Sequence, residues 1–76
     1  MEGGKMTYEL TNEEKIELVN QHLKNIEFSL FNFSLSLVEE QALSSPNGEV
    51  ITSLNNQIAQ ANAKKTALLE ELEGLN

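Results

Sequence analysis

The chain has 76 residues, with 12 Glu, no Asp, five Lys, no Arg and a formal net charge of −7. It carries one His, one Pro and no Cys. These counts allow one small domain and exclude disulfides and thiolate metal sites. The acidic balance argues against a nucleic-acid partner, because phosphate neutralisation needs clustered cations, and against anionic membranes.

Residues 1–10 read as a flexible leader. Met1-Glu2-Gly3-Gly4-Lys5 lacks the apolar core of a signal peptide, and Met6 is an alternative start. Residues 11–76 read as a single helical domain. Gly and Pro are absent from 5–45 and from 49–73. The central breaker, Ser44-Ser45-Pro46-Asn47-Gly48, therefore separates two long elements.

The first helix is expected over about 12–44. Thr11 with Glu14 three residues on fits a capping box, in which each side chain satisfies the other residue's backbone N–H. Apolar residues recur at Ile16, Val19, Leu23, Ile26, Leu30, Phe33 and Leu37. Alternating spacings of three and four make a heptad seam, which Glu40 breaks. The turn is expected at about 45–48. Either Ser45 caps the second helix with Pro46 in its first position, or Asn47 caps it slightly later.

The second helix is expected over about 49–73, with Gly74 as its stop. Its seam runs Ile51, Leu54, Ile58, Ala61, Lys65, Leu68 and Leu72, continuing to Leu75. Lys65 is the one polar residue in it. Folded back at the turn, seam residues whose numbers sum to 94 or 95 face each other, from Leu43–Ile51 through Phe33–Ala61 to Val19–Leu75. The largest side chain then meets the smallest, which conserves volume. Lys65 is expected to lay its methylenes along Leu30 and hold its ammonium in water. The fold class is all-α, an antiparallel, coiled-coil-like two-helix hairpin.

The first helix has more apolar residues than one partner can cover. Phe28, Phe31, Leu35, Val38 and Ala42 form a second row, centred roughly 150° from the first at ~100° per residue. No charge lies between Glu27 and Glu39. A helix apolar nearly all round is normally buried. The row is therefore expected to be an oligomer interface, with a homodimer or tetramer completing a four-helix bundle. In a two-fold dimer, antiparallel first helices would cross near Ser34. The alternative is an adaptor, inhibitor or antitoxin-like module whose second row binds a different protein.

The search for chemistry is short. His22 has Leu18, Val19, Asn25 and Ile26 as helix neighbours, none a metal ligand or second acid. Glu13-Glu14-Glu17, Glu39-Glu40 and Glu70-Glu71-Glu73 read as solvated helix ends. No catalytic, cofactor-binding or metal-binding residue is assigned and no cofactor is expected, so the reading is non-enzymatic. Asn32-Phe33-Ser34 matches a glycosylation sequon by chance. Ser45-Pro46 is a capping turn that needs no modification to explain it. Ala59, Ala63 and Ala67 suit either close helix approach or a polar outer face.

From Leu10-Thr11-Asn12-Glu13-Glu14-Lys15-Ile16 through Val38-Glu39-Glu40-Gln41, the chain resembles small helical-hairpin proteins of tailed marine bacteriophages. The likeness spans about residues 6–75. It implies an acidic helical hairpin and carries over no functional residue. No segment is long and apolar enough to span a bilayer: the most apolar stretch, Phe28 to Val38, is 11 residues. A cytoplasmic location is expected, in the host's cytoplasm for a phage protein.

Overall fold

The structure, a computed structural model, describes residues 9–76. Most of the leader expected over 1–10 lies outside the described residues. Two antiparallel helices, α1 (Asn12–Gln41) and α2 (Gly48–Leu75), pack along their lengths as an all-α hairpin. At ~1.5 Å per residue they run about 45 and 42 Å.

The capping box opens α1. Thr11 N–H donates to Glu14 Oε1 at 2.9 Å, and Glu14 N–H donates to Thr11 Oγ1 at 3.1 Å. Two of the four N–H groups that a helix start leaves without partners are thereby satisfied. Glu13 and Glu14 also place negative charge at the positive end of the helix dipole.

The helix ends at Gln41, three residues before the boundary the breakers suggest. The reversal begins at Ala42, whose N–H donates to the Val38 and Glu39 carbonyls. Leu43 is consequently 53% exposed instead of seated opposite Ile51. The physical cause lies in the turn. Glu40 Oε2 accepts the Asn47 N–H at 2.8 Å, which draws the chain back onto the end of α1 before another helical turn is completed.

Asn47 is the cap of α2, resolving the choice between it and Ser45. Its Oδ1 accepts the Glu49 N–H at 2.9 Å and the Val50 N–H at 3.4 Å. Gly48 is thus the first helical residue, not part of the turn. Gly74 does not stop α2, which continues to Leu75. Neither described glycine has a positive φ, so Gly74 stays in the right-handed helix. Asn76 closes the end: its side-chain amide donates to the Leu72 carbonyl at 3.1 Å. The Asn12 side-chain amide reaches the Leu75 carbonyl at 3.5 Å and joins the open end of the hairpin.

Burial follows the heptad seam. On α1, Ile16, Val19, Leu23, Ile26, Leu30, Phe33, Leu37 and Glu40 are half-buried. On α2 the same holds for Ile51, Leu54, Ile58, Lys65, Leu68, Leu72 and Leu75. Ala61, 8% exposed, is the one buried residue among those described. Off the seam only Glu14 and Ser36 are half-buried; every other described residue is exposed. The facing register is visible in the grooves between the helices. Ile26 and Leu68 share one groove wall, and Phe33 and Ala61 share another.

Candidate interaction surface

The second row stands on the side of α1 turned away from α2. Phe28 is 66% exposed, Phe31 65%, Val38 62% and Leu35 45%. Phe28, Phe31 and Leu35 border a shallow groove with Ser29 and Asn32. Ala42, the last member, is exposed and sits just beyond the end of α1 as its C-cap. Four large apolar side chains thus lie in one line over about 15 Å of helix, at ~1.5 Å per residue. Scattered exposed apolar residues are ordinary, whereas a contiguous line of them is a candidate contact surface. Elsewhere, Leu10, Leu18, Leu43, Val50 and Leu69 are exposed as well.

The back of α2 is built differently. Thr52, Asn55, Asn56, Ala59, Gln60 and Ala63 are all exposed there, polar or small throughout. The hairpin therefore has one apolar back, on α1, and one polar back, on α2.

The two polar residues of the seam each find a partner. Lys65 Nζ meets Glu27 Oε2 at 2.6 Å, with the two side chains 36% and 54% exposed. The ammonium is not simply in water, as the sequence suggests; it bridges the two helices. A pair this exposed contributes only about 0.2–1 kcal/mol. Glu40 ties the turn, as described above. The sequence reading takes Glu40 as a break in the seam and gives Lys65 a methylene contact with Leu30 but no charged partner. The available signal was position: Glu27 lies one turn from Leu30, the residue level with Lys65, and Glu40 precedes Asn47 by seven residues.

His22 lines an apolar groove between the helices, with Asn25, Ile26, Ser29, Lys64, Ala67 and Leu68. The groove supplies no carboxylate, so it offers His22 neither an acid partner nor a shared metal. Among the described residues, no three His, Asp or Glu side chains gather closely enough to hold a metal ion. Glu13 and Glu17, Glu39, and Glu70, Glu71 and Glu73 are exposed. Asn32, of the sequon, and Ser45 are exposed as well. No helix among the described residues is long and apolar enough to cross a membrane.

Compared with models of known protein families, with curated proteins and with solved structures, the chain matches none.

Proposed function

We propose that this protein works by association: a non-enzymatic helical hairpin that pairs with a second copy of itself through the exposed row of α1 and serves as a small structural or accessory protein. The observation carrying this reading is the line of Phe28, Phe31, Leu35 and Val38, all between 45% and 66% exposed. The rest of the molecule supports it. A two-helix hairpin with one buried residue among those described has little core of its own, and short chains commonly obtain the missing burial by oligomerising. Because the row lies opposite the seam, pairing through it brings the two α1 helices together, with each α2 outside. This is a four-helix assembly with the apolar helices central and the polar backs in solvent.

Sedimentation equilibrium of the full chain tests the reading. The expected mass is twice the 8.5 kDa of one chain. Leu35→Glu places a carboxylate in the apolar contact once per copy, and a charge buried without a partner is costly enough to separate the copies. Its expected mass is that of one chain. Asn56→Glu, on the polar back of α2, should keep the parent's mass. A parent that sediments as one chain up to millimolar concentration would exclude self-association and leave a different protein as the occupant of the row.

A further inference from the structure

The nearest charges to the row are Glu27 and Glu39, but Glu27 is already paired with Lys65 of α2, so the unpaired charges at the row's two ends, Lys24 and Glu39, have opposite sign. Lys24 lies one turn before Phe28, on the N-terminal continuation of the row, with spacings 24, 28, 31, 35, 38 and 42. Glu39 lies one turn after Leu35, at the row's C-terminal edge. Both side chains are exposed, and neither has an ion-pair partner among the described residues. The 11 positions from 28 to 38 between them hold no charge.

A parallel second copy would set Lys24 beside Lys24 and Glu39 beside Glu39. An antiparallel copy brings the cationic end of one row to the anionic end of the other. It also matches the apolar residues without a gap, because the row is nearly symmetric about Phe33. Phe28 then lies level with Val38 of the second copy, and Phe31 with its Leu35. Lys24 comes within one helical turn of the level of the second copy's Glu39, a step that a Lys side chain spans. The helix dipoles are opposed in this arrangement, which favours it slightly further.

We propose that the second copy docks antiparallel, about a two-fold axis level with Phe33, and that Lys24 of each copy pairs with Glu39 of the other. The inference rests on the self-association proposed above and adds its orientation and its charge contacts.

Spin labels test the orientation. The chain has no Cys, so Asn20→Cys, exposed and outside the row, gives one label per copy. In the antiparallel dimer the two labels are 26 residues apart along the paired axes, about 39 Å at ~1.5 Å per residue. In a parallel dimer they would lie within about 15 Å, given helix axes 8–10 Å apart. Charge reversal tests the contacts. Lys24→Glu and Glu39→Lys should each raise the dimer Kd roughly threefold to tenfold, since two exposed pairs become repulsive. The double reversal should return it to within about threefold of the parent, since the reversed charges again face opposite signs.

A label distance under 20 Å would overturn the orientation while leaving self-association standing. A long distance without rescue by the double reversal would overturn the Lys24–Glu39 pairing. Absence of any dipolar coupling between copies, with a one-chain mass, would remove the reading on which the proposal rests.

Discussion

Phe33→Ala is the sharpest test of the hairpin seam. Phe33 is half-buried and shares a groove wall with Ala61, the residue that the packing covers most completely. Truncating a fully buried Phe to Ala costs about 3–5 kcal/mol. Phe33 keeps part of its ring in solvent, so the expected loss is about 2–4 kcal/mol. That is a large share of the roughly 5–15 kcal/mol that holds a small domain together. Lys65→Ala removes an exposed ion pair and some methylene contact, so its expected loss is about 0.2–1 kcal/mol. Urea unfolding followed by circular dichroism measures both, at one fixed protein concentration because the proposed association would contribute to apparent stability. A third variant checks the facing register. Ala61→Leu alone overfills the seam and should cost about 1–3 kcal/mol. Combined with Phe33→Ala, the added volume enters the space the ring vacates, so the double loss should fall below the sum of the single losses. Equal losses from Phe33→Ala and Lys65→Ala, or strictly additive losses in the double variant, would refute the register in which Phe33 faces Ala61.

Three further outcomes follow from the helix ends and the exposed row. Asn47→Ala removes the acceptor for two N–H groups at the start of α2 and should cost about 1 kcal/mol in the same unfolding assay. Gly74→Ala should stabilise by up to about 1 kcal/mol, because Gly74 has a helical backbone and a Cβ there meets nothing within 4 Å. Fraying of the last turn reduces that gain, and a loss of stability would contradict the helical assignment. Phe31→Ala should weaken self-association by about 1–2 kcal/mol per copy, since about two thirds of its ring remains to be covered. For a dimer that is roughly a 30- to 1,000-fold rise in Kd, read by sedimentation.

The hairpin was legible because its signals agree across levels. Punctuation at 44–48, a capping box at Thr11 and Glu14, and two seams in alternating steps of three and four all specify the same two helices. The half-buried residues are those steps almost without remainder. Boundaries were less legible because they depend on single hydrogen bonds that periodicity does not encode. The Glu40 carboxylate ends α1 early by taking the Asn47 N–H. Gly74 reads as a stop only if its φ turns positive, and here it does not. Ser45 and Asn47 both have the chemistry of a cap, so the choice falls to the path of the turn. The Lys65–Glu27 pair was not legible because Lys65 reads as a side chain lying along Leu30 with its ammonium in water, and Glu27 only as the edge of the charge-free stretch, so the two are not matched as charges on neighbouring helices.

The asymmetry between the two helices bears on how the molecule is arranged in any assembly. Both helices carry an equally regular seam, so the seam alone gives them equivalent roles. Their backs separate them. Behind its seam α1 presents two Phe, a Leu and a Val, while α2 presents Asn, Gln, Thr and Ala at the same levels. A hairpin needing only its internal contact would gain nothing from apolar residues behind one helix and would carry the aggregation hazard of exposing them. A hairpin with both backs covered would be expected to have them on both helices. One apolar back and one polar back fit a single docking face per chain. A face used once by each copy, on a two-fold axis, closes after two copies, whereas two different complementary faces would propagate into a filament. The back of α2 supplies no second apolar row, so the proposed association through α1 would close at a pair and would not grow openly.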